Sequence, residues 1–529
     1  MRMPYQCMTR CGDILVAARG SSIDSFRFQD GSLLSTWKPP SSQDGQGSKA
    51  PETVAEITTK LDSRNSESSV EIALDAASPP AKKRKLSKSE ESPGHPERKN
   101  GKKKQNNRAS ALSSGLETLA VIILASTTDG RHVIAVTGED KSIRVFENVV
   151  KDGTQELKQL SQRAMPKRPC ALVISSDNST IISADKFGDV YALPLFPSAN
   201  YIKSQGQTLE PAKPFVPAAN ELTIHSQRNR KALENQKKHT NKVSEKTELS
   251  FEHRLLLGHV SLLTHLILVT SAKKDYIITA DRDEHIRISR GIPQTHIIEG
   301  FCLGHTEFVS RLCIPRNRPD ILISAGGDDE IFVWDWKSGE LISRTNLTKH
   351  VEALKKKLGG AEIVDESIEL VKVAVSGLYH TRAHVDDHLL DFIIVTCEGI
   401  PALFSFHLHL DGDLLQDPQI VELPGNPLAV LTDIPLLSEG STGDIVVSID
   451  TVHLPGSTTV LRSEPSGTEK CLMIFHHWDV GLVPSDAAYT EPVEDDDSVL
   501  RSGEGIGWLS NLLYNLENLR KRDGDGQDA

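Results

Sequence analysis

The sequence predicts an all-β protein, a seven-bladed β-propeller, because a strand-and-turn segment recurs along the chain and its uninterrupted steps have similar lengths. Each copy places a small or polar residue before a tight turn and an alternating apolar strand after it. Five copies are clear and one is weaker. In chain order they are LVAARGSSIDSF (the weaker copy), TGEDKSIRVF, ISADKFGDVYAL, ITADRDEHIRIS, ISAGGDDEIFVWD and VTCEGIPALFSF.

The spacing of these copies indicates blades of the WD type. The first apolar residue after each turn serves as a register mark, and the marks are Ile23, Ile143, Val190, Ile286, Ile331 and Leu403. Ile143 and Val190 are 47 residues apart, and Ile286 and Ile331 are 45 apart. Both steps are close to the period of a WD-type blade, about 40 to 45 residues.

The longer steps contain insertions that such a repeat tolerates. Residues 38–115 are rich in Ser, Pro, Lys and Glu, and residues 198–250 are rich in Gln, Asn and Lys. This composition buries too little apolar surface to offset chain entropy, so both insertions are expected to be disordered. A third step contains HVEALKKKLGGAE, which predicts a short helix ended by Gly359 and Gly360.

These patterns divide the chain into six parts. A degenerate seventh blade is expected in residues 420–478, and residues 4–10 are the candidate strand that closes the ring. The predicted parts are a first blade and closing strand at 1–37, a disordered basic insertion at 38–115, blades 2 and 3 at 116–197, a disordered insertion at 198–250, blades 4 to 7 at 251–478, and a polar tail with an amphipathic helix at 479–529.

Two repeats also carry the side chains of a WD40 hydrogen-bonded relay. Such a relay joins a Gly-His pair to a pivot Ser or Thr, a turn Asp and a Trp, and leaves no buried polar atom unpaired. The predicted members are His259, Thr279 and Asp283 in one repeat and His305, Ser324, Asp328 and Trp334 in the next.

The C-terminal tail predicts a helix of its own. In IGWLSNLLYNLENLRKR an apolar stripe recurs at helical spacing, formed by Trp508, Leu512, Leu513, Leu516 and Leu519. The sequence leaves open whether this helix packs on its own propeller or on a partner.

Composition and motifs argue against an enzyme. The chain has a net charge of -12, seven scattered cysteines without a C-x-x-C pair, and no H-E-x-x-H, G-x-S-x-G or P-loop motif. GEGIG at residues 503–507 is interpreted as a flexible turn, since no strand precedes it. No catalytic residue, metal site or cofactor site is therefore predicted in this chain.

A basic segment inside the first insertion predicts nuclear import. From Lys82 to Arg108 there are eleven Lys or Arg residues against three Glu, and the core of the segment is Lys82, Lys83, Arg84 and Lys85 beside two prolines. The alternative is a solvated linker. The expected location is the nucleus, with the cytoplasm as the alternative.

A charged turn is the candidate contact surface for a partner. ADRDEHIRIS places Arg282, Asp283, Glu284 and Arg287 around one tight hairpin, and Lys186 lies in a weaker copy in the preceding blade. Propellers bind partners through such exposed turns, where charge complementarity sets specificity. A solvent-facing turn without a partner is the alternative.

The order and spacing of these segments resemble a known family. SADKFGDVYAL, LLLGHVSLLTHLILV, YIITADRDEHIRISR, IEGFCLGHTEFVSRL and LISAGGDDEIFVWDW are similar to the WD-repeat non-catalytic subunit of the eukaryotic tRNA (guanine-N7)-methyltransferase, in a version typical of fungi. The resemblance is close over residues 180–336. It implies a heterodimer in which a separate subunit binds S-adenosylmethionine and methylates a guanine of the tRNA variable loop. It also implies that Arg282, Asp283, Glu284, Arg287 and Lys186 face that catalytic subunit.

Two other functions compete with this one. A substrate receptor of a cullin-type ubiquitin ligase often carries W-D-x-R, but here Lys337 follows Trp334-Asp335-Trp336. A propeller of ribosome assembly would suit the basic insertion but would not explain the specific resemblance.

Overall fold

Alternating apolar strands joined by tight turns produce seven antiparallel sheets of four strands each. The computed structural model describes residues 2–39, 119–151, 154–197, 251–358, 372–385, 388–409, 415–416, 418–432, 434, 444–463, 470–478, 481–492 and 503–521. Almost all of the predicted insertion at 38–115, with Lys82 to Lys85, and all of the insertion at 198–250 lie outside the described residues.

Each blade consists of four consecutive strands. Blades 1 to 3 contain β1 Cys7–Cys11, β2 Ile14–Arg19, β3 Ser22–Arg27 and β4 Leu33–Trp37; β5 Val121–Ser126, β6 His132–Thr137, β7 Ser142–Lys151 and β8 Thr154–Ala164; and β9 Pro169–Ile174, β10 Thr180–Asp185, β11 Asp189–Pro194 and β12 Arg254–Gly258. Blades 4 and 5 contain β13 Leu263–Ser271, β14 Lys274–Asp281, β15 Ile286–Arg290 and β16 Ile298–Cys302; and β17 Val309–Cys313, β18 Ile321–Gly326, β19 Glu330–Asp335 and β20 Glu340–Asn346. Blades 6 and 7 contain β21 Val375–Val385, β22 His388–Cys397, β23 Ala402–Leu408 and β24 Gln419–Glu422; and β25 Pro427–Leu431, β26 Ile445–Ile449, β27 Leu472–Trp478 and β28 Gly481–Pro484.

The seven blades form a closed ring. The first strand of each blade contacts the first strand of the next, and β25 of blade 7 contacts β1 of blade 1. These seven strands therefore line a central channel. The predicted seven-bladed propeller is confirmed, and all six register marks lie in the third strand of their blades.

The core lies between the blades. One cluster of buried apolar side chains fills each of the seven junctions, so every sheet is covered on both faces. At the junction of blades 4 and 5, for example, Ile286 packs with Trp334. This arrangement explains why the strands contain nearly continuous apolar runs such as ILVAAR in β2.

The predicted closing strand is wrong. Residues 7–11 form β1, the inner strand of blade 1, and no strand passes from one terminus into the blade of the other in the described sheets. The ring closes through side chains and loops instead. Ser448 of β26 donates a hydrogen bond to the carbonyl of Tyr5 (2.6 Å), and the Thr490 N–H donates to the carbonyl of Gly31 (2.8 Å).

Two predicted blade boundaries also need correction. β12 at Arg254–Gly258 completes blade 3, so the second insertion interrupts that blade and does not separate it from blade 4. Blade 7 runs from Pro427 to Pro484, while Gln419–Glu422 is the outer strand of blade 6. Both corrections shift an outer strand to the preceding blade, because the register marks identify third strands and not the short outer ones.

Within the part of the chain that the structure describes, two α-helices accompany the propeller. Helix α1, Thr348–Leu358, confirms the predicted helix between blades 5 and 6. Helix α2, Gly503–Leu513, is followed by a 3-10 turn at Leu516–Leu519. GEGIG at residues 503–507 forms the first turns of α2, so its interpretation as a flexible turn is wrong. Within the described residues no helix is long and apolar enough to cross a bilayer.

Candidate functional site

The relay of blade 5 has the predicted geometry. The Trp334 indole N–H donates to the hydroxyl of Ser324 (2.8 Å), and Ser324 lies 2.7 Å from His305 Nε2. His305 Nδ1 lies 2.6 Å from Asp328. Since a carboxylate accepts only, Nδ1 carries the proton, and Ser324 donates to Nε2. Four buried side chains thus tie the segment after β16 to β18 and β19.

The relay of blade 4 uses a different acid from the predicted one. His259 Nε2 lies 2.9 Å from the Thr279 hydroxyl, but His259 Nδ1 lies 3.5 Å from Asp281. Asp281 is buried, whereas the side chain of Asp283 is 45% exposed. The prediction of Asp283 as the relay acid of blade 4 is therefore wrong, and Asp281 is the relay acid.

Asp281 also stabilises the backbone of the charged turn. One carboxylate oxygen accepts hydrogen bonds from the N–H groups of Asp283 (2.9 Å) and His285 (3.1 Å). Asp185 does the same in blade 3 for Phe187 (2.7 Å) and Asp189 (3.1 Å). The repeated Ser/Thr-Ala-Asp before each turn could have shown this from the sequence.

The backbone of the blade 4 turn has a conformation that recurs in neighbouring blades. Glu284 has a φ of 75°, in the left-handed region, and the matching residue in blade 3 is Gly188 with a φ of 95°. A residue with a side chain seldom adopts this conformation, because its Cβ crowds the backbone. Lys141, at the same place in blade 2, has a φ of 55°, so the left-handed residue belongs to this type of turn and recurs in blades 2 to 4.

The structure brings together part of the predicted contact set. Arg282, Asp283 and Glu284 lie on the turn between β14 and β15, and Lys186 lies on the corresponding turn of blade 3. In an antiparallel blade the turns between second and third strands all lie at one end of the propeller, here called the upper face. The four residues therefore share the upper face.

Arg287, the fifth residue of the predicted contact set, does not lie on the upper face. It is 9% exposed and donates from Nε to the Ser289 hydroxyl (3.1 Å) and from Nη1 to the carbonyl of Gly258 (3.0 Å). Burial lowers the pKa of this guanidinium. Arg287 therefore braces β15 against the end of β12 and does not stand on the surface as a contact residue.

The sequence did not indicate two apolar side chains beside this surface. Phe187 is 63% exposed next to Lys186, and Lys167 places its ammonium 3.9 Å from the centre of the Phe187 ring. Val260 is fully exposed on the connection from blade 3 to blade 4. The two loops touch, since the His259 N–H donates to the carbonyl of Gly188 (2.8 Å). Exposed apolar groups rimmed by charges are typical of protein-binding surfaces.

The C-terminal helix packs on its own propeller and covers the channel. The channel encloses a cavity of about 530 Å³, lined by the inner strands and by Leu512, Leu516 and Leu519 of the tail. Arg168, Lys186, Arg311 and Glu398 also reach this cavity. No group of three His, Cys, Asp or Glu side chains suited to a metal ion occurs in the described part of the chain.

The fold and this surface define the class: the chain is a WD-repeat β-propeller with a charged upper face. Residues 15–475 match the family model described as the tRNA methyltransferase TRM82 WD40 domain. The chain belongs to this family.

Curated relatives agree with the family model over nearly the whole chain. A protein of Sclerotinia sclerotiorum is 47% identical over 538 residues, covering 99% of both chains. A protein of Coccidioides immitis is 38% identical over 99% of this chain and 98% of its own, and one of Aspergillus oryzae is 36% identical over 99% of both. All three are named tRNA (guanine-N(7)-)-methyltransferase non-catalytic subunit. The resemblance inferred from the sequence is confirmed.

Proposed function

We propose that this chain is the non-catalytic subunit of a tRNA (guanine-N7)-methyltransferase, which holds a separate catalytic subunit and helps to position tRNA for methylation in the variable loop. The observation that carries the proposal is the 47% identity over 99% of both chains with a relative of that name. S-adenosylmethionine binds to the catalytic subunit in this proposal, and this chain takes no cofactor.

The catalytic subunit docks on the upper face of blades 3 and 4. Asp283 and Glu284 supply negative charge, Lys186 supplies positive charge, and Phe187 and Val260 supply exposed apolar area. Such a mixture suits a protein partner, since apolar anchors give affinity and the surrounding charges give orientation. Arg287 is not part of this surface, because its buried side chain holds β15 against the end of β12.

A reconstituted methyl-transfer assay tests the function. The purified chain and the catalytic subunit, alone and together, are incubated with unmodified tRNA and S-adenosylmethionine, and N7-methylguanine is measured. We expect methylation to need both chains. The double variant Lys186→Glu with Asp283→Lys should weaken the complex roughly tenfold or more by reversing charges at the contact. The matched control is Glu252→Lys, an exposed residue before β12 at the opposite end of blade 3.

Two outcomes would contradict the proposal. The first is full methylation by the catalytic subunit without this chain. The second is purification of the chain from its own cells with a cullin adaptor or with preribosomal particles and without a methyltransferase.

Nuclear import through Lys82, Lys83, Arg84 and Lys85 is the proposed route to the nucleus. The support is a compact basic core beside prolines. Alanine at all four positions should leave a fluorescent fusion in the cytoplasm, while alanine at Lys102, Lys103 and Lys104 should not. Unchanged nuclear accumulation of the first variant would contradict the proposal.

A further inference from the structure

The C-terminal segment 503–521, here called the strap, crosses the upper face from blade 7 to blade 4. It begins with α2, continues through the 3-10 turn at Leu516–Leu519, and ends at Lys521 beside Glu284. The family model matches residues 15–475, so the strap lies outside the matched region.

The first anchor of the strap is on blade 7. Leu509 is fully buried and packs against Val452. Ser510 lies 2.8 Å from His453 Nε2, and Tyr514 donates a hydrogen bond to Asp450. The helix is thereby fixed on the loop after β26.

The second anchor is on blades 5 and 6. The Glu398 carboxylate accepts hydrogen bonds from the N–H groups of Asn515 (2.7 Å), Leu516 (3.1 Å) and Glu517 (3.2 Å), which are the free donors at the start of the 3-10 turn. Arg520 donates to the carbonyls of Gly327 (2.8 Å) and Val373 (2.6 Å). Its side chain is 12% exposed, so a partner has little access to it.

The third anchor is the charged turn itself. Arg282 donates from Nε to the carbonyl of Leu519 (2.8 Å). Lys521 places its ammonium 2.7 Å from Glu284 and 3.7 Å from Asp283. Arg282 therefore binds the strap. Glu284, which has a left-handed backbone conformation, pairs with Lys521, 237 positions away in sequence.

We propose that the strap and the turn between β14 and β15 form one composite docking surface, in which the strap holds the turn in the shape that the catalytic subunit recognises. This inference rests on the proposed function. Asp283 and Lys521 keep 45% and 49% of their side-chain surface exposed, so the strap leaves the contact charges accessible while it fixes their positions. The first anchor is buried, with Asp450, His453 and Leu509 inaccessible to solvent, which makes the strap a permanent part of the upper face and not a removable cover.

The kind of partner surface follows from this arrangement. The composite surface presents the carboxylates of Asp283 and Glu284 beside the ammonium of Lys521, with Lys186 on the corresponding turn of blade 3. Because the Lys521 ammonium neutralises part of the negative charge, we expect the catalytic subunit to offer at least one cation and one carboxylate, in the order that matches these groups.

Arg520→Ala tests the proposal, since it releases the end of the strap without removing a group that a partner can easily reach. The full chain is titrated with the catalytic subunit, and amide hydrogen exchange is followed in residues 282–285 of the free chain. We expect the Kd to rise roughly tenfold, as for a typical coupling between two sites, and the turn amides to exchange faster. By reciprocity, bound catalytic subunit should slow exchange in the strap of the unaltered chain.

The controls keep this test decisive. Arg131→Ala, an exposed arginine between β5 and β6 on the opposite face, should change neither the Kd nor the exchange. If Arg520→Ala fails to fold, Glu398→Ala replaces it, because this carboxylate holds the N–H groups of residues 515–517 and is not one of the contact charges. An unchanged Kd overturns the proposal, and a lower Kd overturns it in favour of a strap that covers the site. Failure of the unaltered chain to bind the catalytic subunit would overturn the proposed function instead.

Discussion

Two buried carboxylates, Asp281 and Asp328, show how single residues hold the blades. Asp328 pairs with His305 and accepts hydrogen bonds from the N–H and the hydroxyl of Thr306 (2.9 and 2.7 Å). Burial by itself raises the pKa of each carboxyl, but hydrogen bonds from the relay histidine and from nearby donors outweigh it. Both pKa values therefore lie below the ordinary value, and both groups are charged acceptors at neutral pH.

Replacing Asp281 and Asp283 one at a time by alanine distinguishes the buried relay acid from the exposed acid of the blade 4 turn. Asp281→Ala leaves His259 and two turn N–H groups without their acceptor, so we expect it to lower the free energy of unfolding by about 3 kcal/mol. Asp283→Ala removes an exposed carboxylate and should change it by less than about 0.5 kcal/mol. Urea unfolding followed by circular dichroism measures both. Equal losses would contradict the assignment of Asp281 to the relay.

The stabilisation from Asp281 should depend on pH. Its pKa is lowered in the folded chain, so its contribution is present above the ordinary aspartate pKa of about 3.9 and is lost as the pH falls through the folded value. The difference in unfolding free energy between the unaltered chain and Asp281→Asn should therefore be largest near neutral pH and shrink below about pH 4. Urea titrations across this range measure it, and a constant difference would show that the carboxylate charge is not what stabilises the turn.

Sequence reasoning succeeded for the blade 5 relay and failed at one residue of blade 4 for a geometric reason. In blade 5 the acid follows the pivot Ser324 by four positions, and the same offset from Thr279 leads to Asp283. The two turns have the same length, since β18 ends at Gly326 and β14 at Asp281, each two residues after its pivot. Gly326 has no side chain, so the relay of blade 5 takes its acid from Asp328, whereas in blade 4 Asp281 stands at the earlier position and takes that role.

Helix α1 is an element that can be predicted from its own sequence, because that sequence contains both an N-cap and an apolar stripe. Asn346 accepts a hydrogen bond from the Lys349 N–H (2.9 Å), as an N-cap does. Leu347, Val351 and Leu354 recur at helical spacing and are buried in the cluster between blades 5 and 6. The helix therefore fills the gap that the long connection between these blades would otherwise leave.

Removing one apolar side chain from this helix should weaken that junction. Leu354 is 4% exposed, so Leu354→Ala creates a cavity and should cost about 3 kcal/mol in unfolding free energy. Lys356→Ala, on the exposed side of the same helix, should cost almost nothing. Denaturant unfolding of the pair checks this, and a small effect of Leu354→Ala would mean that the helix is not part of the core.

The strap shows where an element cannot be predicted from its own sequence. The apolar stripe predicted one amphipathic helix through Leu519, but α2 ends at Leu513 and a 3-10 turn follows. Tyr514 turns toward Asp450, and Glu398 satisfies the N–H groups of residues 515–517. These partners come from blades 6 and 7, so the break is a consequence of tertiary contacts that periodicity does not report.

At the scale of the whole molecule, the number of blades was readable from the sequence but the closure was not. Six register marks identify third strands, and the strand-like segment within residues 420–478 indicates a seventh blade. Because each blade buries both of its faces, seven such units imply a ring. The junction of blades 7 and 1 is held by loops, among them the segment after β28. Tyr489 in that segment is buried among apolar residues of both blades and packs edge-on against Phe26 with ring centres 5.5 Å apart.

Substitution of Tyr489 should open the ring at this junction first. Tyr489→Ala removes a large buried side chain and should cost about 3 to 5 kcal/mol of unfolding free energy. Tyr489→Phe should be neutral or slightly stabilising, since the Tyr489 hydroxyl is buried without a hydrogen-bond partner among the described residues. Hydrogen exchange measures the site of opening. In Tyr489→Ala the amides of β1 to β4 and β25 to β28 should lose protection before those of β13 to β16, because the apolar packing around this ring is confined to the junction of blades 7 and 1. Simultaneous loss in blade 4 would mean instead that the ring opens as one cooperative unit and that this junction is not its weakest point.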